Sequence, residues 1–278
     1  MRTIAYLGPE NTNTHFAARK EFGAKARYLH APTVDDVFDL VEREKADFGV
    51  VPIENSLEGA VTHTLDRFTD FRKSPARVCG EIELPIRHYF IKRRGTPREK
   101  IGVVYSHPQA LAQCRIWLKK NFSRLSQRET GSTAEAVEAL SRRDAFWEPE
   151  ERSAIGRREL AQGRLLEAIP IPLEQENRTR FLILSLKGTR RGRRNKTSLL
   201  FALKDKPGAL HDALMPFKKL RINLTKIESR PTKRKAWEYV FFMDFEGHES
   251  DPRVKKALSA LRRGAEVQVL GSYPLRGA

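Results

Sequence analysis

The stretch that most constrains this chain is Asn177-Arg178-Thr179-Arg180-Phe181, which runs directly into Leu182-Ile183-Leu184-Ser185-Leu186. A short aliphatic run of this kind reads as a buried strand, and its mouth carries a hydroxyl, an amide and two guanidinium groups. In an α/β protein a strand mouth is where ligands sit. On these residues alone an ordinary strand start is the better reading, because Thr packs well in strands and Arg is usually solvated.

Upstream, Thr3–Leu7 reads as a first strand, followed by Gly8-Pro9 and a helix to about Phe22. The helix start, with Thr14 in it, presents free backbone N–H groups that suit a carboxylate or phosphate; a plain loop is as good a reading. Ala26–His30 gives a second strand, and Thr33-Val34-Asp35-Asp36 is a capping-box pattern opening a helix to about Ala46. A third strand, Asp47–Ile53, delivers Glu54-Asn55-Ser56 to its mouth, where the three side chains either orient a substrate or cap the helix that follows Gly59. Cys79–Arg93 is extended and reads as a crossover. Ile101–Tyr105 is a strand, and Ser106-His107-Pro108-Gln109 is an S-x-x-Q box with Pro in the first turn, heading a helix whose apolar face holds Leu111, Cys114, Ile116, Trp117 and Leu118. Ser132-Thr133-Ala134-Glu135 heads another helix, to about Leu140, and Ser153–Gly156 is a short buried strand.

The C-terminal part spells strand 197–205, helix 207–220, strand 222–230, strand 237–246, helix 251–263 and strand 266–273. That order, βαββαβ, is ferredoxin-like.

With 278 residues, 40% of them hydrophobic, the chain is long enough for two domains, or a two-lobed one plus a module. The net charge of +17 raises nucleic acid as a partner, so its distribution matters. Residues 1–186 carry only +4, residues 187–196 carry +6 and the remainder +7. No aromatic residue interleaves the basic run to stack on bases, so a solvated linker is the reading and nucleic acid is not expected. Cys79 and Cys114 are too few for a disulfide framework or zinc site and read as small core residues. No stretch approaches the roughly 18 apolar residues of a membrane span, nor does the N-terminus show a long apolar leader, so no membrane partner and a cytoplasmic location are expected.

Val51-Pro52-Ile53-Glu54-Asn55-Ser56 with Gly59, Tyr105-Ser106-His107-Pro108-Gln109 with Gln113, Cys114 and Trp117, and Thr179-Arg180-Phe181 occur in a set order that resembles the prephenate dehydratase family, in its monofunctional form with a C-terminal ACT regulatory module. The resemblance covers nearly the whole chain. It implies a periplasmic-binding-protein-like catalytic domain at 1–186, with lobe one at about 1–78 plus 177–186 and lobe two at about 79–176, then a basic linker at 187–196 and the ACT domain at 197–278. The implied activity turns prephenate into phenylpyruvate, with no metal or other cofactor, because aromatisation drives the step. Thr179, Asn55, Glu54, Ser106 and Gln109 match catalytic positions. Arg180, Asn177, Ser56, Thr14, Ser132 and Thr133 are expected to bind substrate, Arg180 having Glu54 as its alternative partner. His107 is the general acid that chemistry alone would choose, against a plain helix-start residue. Phenylalanine is expected as effector at Gly208-Ala209-Leu210, Asn223 and Glu228-Ser229-Arg230-Pro231, in a homodimer or homotetramer.

Asn11 and Asn13 stand where the family has Gly and an aromatic, and Arg157, Arg158 and Glu159 replace a small-residue helix, so departures are expected in 146–175. An arogenate dehydratase and a non-catalytic amino-acid-binding sensor remain as alternatives. Residues 1–186 are expected to stay catalytic when cut from the rest at about Gly188.

Overall fold

A computed structural model describes residues 1–69, 74–122, 124–141, 152–231 and 239–275. The chain divides into two units. Unit one holds Met1–Leu7, Ala17–Glu83 and Thr179–Ala278; unit two holds Gly8–Phe16 and Leu84–Arg178. The C-terminal module therefore groups with the first lobe.

In unit one the apolar runs become β1 (Thr3–Leu7), β2 (Arg27–Ala31), β3 (Phe48–Asn55), β4 (Gly59–Ala60), β5 (Arg77–Pro85) and β11 (Arg178–Ser185). Their order is β2-β1-β3-β11-β5, with β4 paired to β3. β1 runs parallel to β2 and β3, whereas β11 runs antiparallel to β3. α2 (Val34–Glu42) covers this sheet with Val34, Val37, Phe38 and Val41. Its capping box forms as expected, Asp36 N–H donating to Thr33 Oγ1 and Thr33 N–H to Asp36 Oδ2, each at 3.1 Å. The helix stops at Glu42 rather than Ala46, because Glu44 turns to φ +55° and Ala46 N–H returns to Leu40 O.

The C-terminal module has β12 (Asn195–Leu203), α6 (Ala209–Lys219), β13 (Leu224–Pro231), β14 (Tyr239–Glu246), α7 (Pro252–Arg262) and β15 (Ala265–Pro274), in the all-antiparallel order β13-β14-β12-β15. This is the ferredoxin-like arrangement read from the sequence. Alternation along its strands separates two cores. Leu199, Phe201, Met243 and Phe245 pack under α6 and α7, while Leu200, Val240, Phe242, Leu270 and Tyr273 join Phe68, Val78 and Leu182 in the core of the first sheet. Phe68 and Phe242 lie 6.2 Å apart between ring centres. The backbones meet so closely that a Cβ on Gly271 would lie 1.9 Å from Val78 O, which only glycine permits. Lys196 and Asn195 belong to β12 rather than to a linker, and Arg191 pairs with Asp251 at 2.7 Å, so part of the basic run is engaged by the fold.

Unit two is built on the sheet β10-β6-β9-β7-β8: β6 (Tyr89–Arg93), β7 (Val103–Ser106), β8 (Ser126–Glu129), β9 (Arg152–Gly156) and β10 (Leu166–Pro170). α4 (Pro108–Asn121) buries Ala110, Leu111, Cys114 and Leu118; Ile116, expected on that face, is 63% exposed. α5 (Thr133–Ser141) packs Ala136 and Val137 on the same sheet's other core. The part of the divergent segment that falls at 146–151 lies outside the described residues. Among the described residues, no helix is long and apolar enough to cross a membrane.

Candidate active site

Thr179 and Asn55 are cross-strand partners at the end of the β3/β11 ladder, and the next pair is Arg180 with Glu54. Side chains alternate along a strand, so Thr179 and Asn55 share one face while Arg180 and Glu54 share the other. A bulge follows, Phe181 pairing with Pro52 and Ile53 being skipped. Asn55 Nδ2 donates to Thr179 Oγ1 at 2.9 Å. Asn55 Oδ1 accepts from the backbone N–H of Leu57 at 2.9 Å and of Glu58 at 3.1 Å. Those two backbone donors fix which end of the amide is oxygen, so the nitrogen faces Thr179. Thr179 thus accepts from Asn55 and keeps its own hydrogen to donate elsewhere. Ser56 is exposed in the turn. The alternative, a cap for the following helix, is not what forms: α3 (Thr62–Phe68) has Val61 at its N-cap with no side-chain bond.

On the opposite face lies an ionic cluster centred on buried Arg180 and Asp244, with Glu54, Glu81, Lys196 and Lys226 half-buried around them. Arg180 Nε donates to Glu54 Oε1 at 2.6 Å, and its Nη1 lies 2.9 Å from Glu81 Oε2 and 2.7 Å from Asp244 Oδ2. Lys226 Nζ meets Glu54 Oε2 at 2.5 Å, and Lys196 Nζ meets Glu81 Oε1 at 2.7 Å. Ser198 Oγ donates to Asp244 Oδ1, and Tyr273 Oη lies 3.3 Å from Glu81. Burial pushes the Glu54 and Glu81 carboxyls up, but Arg180 with Lys226, and Arg180 with Lys196, outweigh it and hold both below their ordinary 4.5. Burial would lower Arg180, and Asp244, Tyr273, Glu54 and Glu81 turn that shift upward. Glu54, one of the partners expected for Arg180, is joined by Glu81 and Asp244. Glu54 accepts at both oxygens from cations, so it is an ionised anchor rather than a proton donor.

In unit two, Ser106 is the last residue of β7, and its buried hydroxyl donates to Ile155 O at 2.8 Å, tying β7 to β9. It caps nothing. The N-cap of α4 is His107, whose Nδ1 accepts from Gln109 N–H at 3.4 Å, so the helix-start reading of that histidine holds. Gln109 itself is exposed. One helical turn further on, Gln113, named only within the matching motif, is the residue with polar partners: its Oε1 accepts from Asn177 Nδ2 at 2.8 Å and lies 2.8 Å from His88 Nε2. Burial, with Arg157 nearby, holds His88 below its ordinary 6.5 despite the Gln113 contact, so it is a neutral Nε2–H donor. His88 was missed because nothing in its own sequence neighbourhood marks it. Gln113 carried a signal, the i, i+4 spacing from Gln109 within a matching motif.

Ser132 caps α5, its Oγ accepting from Glu135 N–H at 3.0 Å, with half-buried Thr133 next to it. Thr14 is buried in α1 (Asn13–Phe22). The two departures from the family meet each other: Arg157 Nη1 donates to Asn13 Oδ1 at 3.3 Å, and its guanidinium lies 4.6 Å from the Phe16 ring.

Among the regulatory positions, Gly208 is the left-handed N-cap of α6 (φ +78°), with open space where a Cβ would be, and Ala209 and Leu210 start the helix. β13 alternates, its Ser229 and Pro231 exposed beside Ile227, while Lys226, Glu228 and Arg230 face inward. Arg230 Nη2 pairs with Asp66 at 3.2 Å, so it is turned away from Ser229 and Pro231. Asn223 is exposed before the strand.

Residues 4–189 match the family model of prephenate dehydratase, and residues 197–263 that of the ACT domain. The chain is 44% identical over 274 residues to a bifunctional chorismate mutase/prephenate dehydratase of Aquifex aeolicus, covering 98% of this chain and 73% of that one. It is 35% identical over 281 residues to a prephenate dehydratase of Methanocaldococcus jannaschii, covering 99% and 98%. A solved structure of prephenate dehydratase in complex with L-Phe, from Arthrobacter aurescens, superposes with a TM-score of 0.87 at 33% identity, covering 98% of this chain and 89% of that one. The fold is thus that of an α/β enzyme joined to an ACT module, and the chain belongs to the prephenate dehydratase family. Its activity is that of a lyase that converts prephenate to phenylpyruvate.

Proposed function

We propose that Thr179 is the hydrogen-bond donor beside the departing ring hydroxyl of prephenate. In the reaction the bond from the ring to its carboxylate breaks, CO2 leaves, and that electron pair enters the ring. The opposite carbon loses its hydroxyl, which takes up one proton and departs as water, leaving the aromatic ring of phenylpyruvate. Leaving-group departure needs a donor at that oxygen. The carrying observation is the oriented pair: Asn55 donates to Thr179, so the Thr179 hydrogen is directed to another acceptor. A threonine is a poor acid, so Thr179 orients or relays the proton rather than being its source. Glu54 and Arg180 hold the two strands from the opposite face. Asn177 is proposed to contact substrate from the neutral cluster it forms with Gln113 and His88; Ser106 serves the sheet, and Gln109, Ser56, Thr14, Ser132 and Thr133 complete the candidate set.

Thr179→Ala is expected to lower kcat by about a hundredfold or more with KM within several-fold, and Thr179→Ser to be much milder. Phenylpyruvate is followed by its ultraviolet absorbance; an alanine variant that keeps more than a third of kcat rules the role out. Arogenate offers the same leaving group, and assaying both substrates side by side separates the two activities.

Phenylalanine is the effector in this reading, held where Gly208-Ala209-Leu210 of one module meets Asn223 and the Glu228–Pro231 strand of a second copy. A related enzyme binds L-Phe, and β13 is the edge strand of its sheet, with exposed Ile227 and Tyr239 beside it, which supports pairing between copies. We place the protein in the cytoplasm.

A further inference from the structure

Lys226 lies in β13, in the regulatory module, two residues before Glu228, yet its side chain is only 9% exposed and its ammonium is bonded to Glu54 of β3. Glu54 is covalently next to Asn55, as Arg180 is next to Thr179. The two cross-strand pairs are consecutive rungs of one ladder, facing opposite ways. We infer that Lys226 is a positioning residue for the dehydration, through which the regulatory module fixes the strand pair that presents Asn55 and Thr179; this rests on the role proposed for Thr179.

The geometry leaves Glu54 little freedom. One oxygen is held by Arg180 at 2.6 Å and the other by Lys226 at 2.5 Å, so the carboxylate is clamped between the two strands' module-facing side and β13. Charge makes the clamp necessary. Among the groups in close contact, the first sheet contributes Glu54, Glu81 and Arg180, one negative charge in excess, and the module contributes Lys196, Lys226 and Asp244, one positive charge in excess; Glu228 of the module stands further off, 4.0 Å from Lys226. Neutralising Lys226 removes the partner of one Glu54 oxygen, and because that side chain is 32% exposed the carboxylate is then free to turn towards water or towards Arg180. Either movement pulls on β3 at Glu54, beside the bulge at which β11 skips Ile53. On that edge the displacement passes to the next rung of the β3/β11 ladder, while β4 holds Glu54 and Asn55 on the other edge. The Asn55–Thr179 bond on the other face is the nearest contact to be disturbed. A small misplacement of a catalytic donor costs rate far more than it costs binding.

The test is steady-state kinetics with prephenate on the full chain and on Lys226→Met, Lys226→Gln and Lys226→Arg. Lys226→Met is expected to lower kcat about tenfold or more with KM changed less than twofold, Lys226→Gln to fall with it, and Lys226→Arg to recover to within about threefold of the parent. Should Lys226→Met not fold, Lys226→Gln is read in the same way. The inference is overturned if the neutral variants keep kcat within twofold, if KM rises as kcat falls, or if Lys226→Arg is as impaired as Lys226→Met. Absence of phenylpyruvate from the parent protein would overturn the functional reading itself, and this inference with it, before any variant is compared.

Discussion

Unit one gathers five charged side chains around Arg180, whereas unit two gathers a histidine, a glutamine and an asparagine joined by neutral hydrogen bonds. Both clusters stand next to candidate site residues and both hold strands or helices in register. They differ in what each element must bring. A neutral cluster needs only shape and a donor for each acceptor. An ionic one also needs its charges to be compensated, and here Glu54, Glu81 and Arg180 are one cation short until Lys196 and Lys226, with Asp244, come in from the regulatory module. The module is thus built into the first sheet electrostatically as well as by its apolar face, and control of the enzyme has a physical route into the strand that carries Thr179.

The hardest blow to this contrast is a cut before Gly188. On sequence alone residues 1–186 looked self-sufficient, but the core of the first sheet continues into Leu200, Phe242, Leu270 and Tyr273. The fragment is expected to precipitate or to turn over more than about a hundredfold slower than the full chain, since it exposes that face and strands a buried carboxylate. A soluble fragment with full kcat would show that the module is a passenger.

Single substitutions sharpen the comparison. Asp244→Asn removes one charge from a side chain with no exposure and is expected to cost about 3–5 kcal/mol in urea unfolding. Gln113→Met removes a neutral partner and is expected to cost about 1–3 kcal/mol. Equal losses would erase the distinction between the two clusters.

Acid should separate the units in pH as well. His88 is held below its ordinary 6.5, so the unfolded chain binds its proton first, and the stability this contributes to unit two falls as pH drops below about 6.5. Glu54 and Glu81 are held below 4.5, so their contribution to unit one is complete above that value and is lost only as pH falls beneath it. Amide exchange followed from pH 7 downwards should show β6 and β9 losing protection before β3 and β11; the reverse order contradicts the assignment.

The smallest expected change is none. Burial pushes the Cys114 thiol up to about 12, so a maleimide should leave it unmodified in the native protein at pH 8 and label it once urea unfolds the chain. Labelling of the native form would mean that the interior of unit two is open.

The sequence by itself determined the ferredoxin-like module, the Thr33 cap, the first three strands and the strand mouths bearing Asn55 and Thr179, because alternation, capping patterns and aliphatic runs are local and act over a few residues. β4, β8 and β10 went unread, and Cys79–Arg93 proved to be two strands. It also marked the family, through three short motifs. Departures were visible only singly: Asn13 and Arg157 each looked anomalous, and their hydrogen bond across 144 positions needed the fold. Tertiary structure alone decided that Ser106 braces β9, that Gln113 meets Asn177 and His88, and that Arg180 reaches Glu81 and Asp244 as well as Glu54. The reason is physical. A polar side chain takes its role from whatever partners burial leaves within about 3 Å, and those partners come from strands far apart in the chain, which no local pattern specifies.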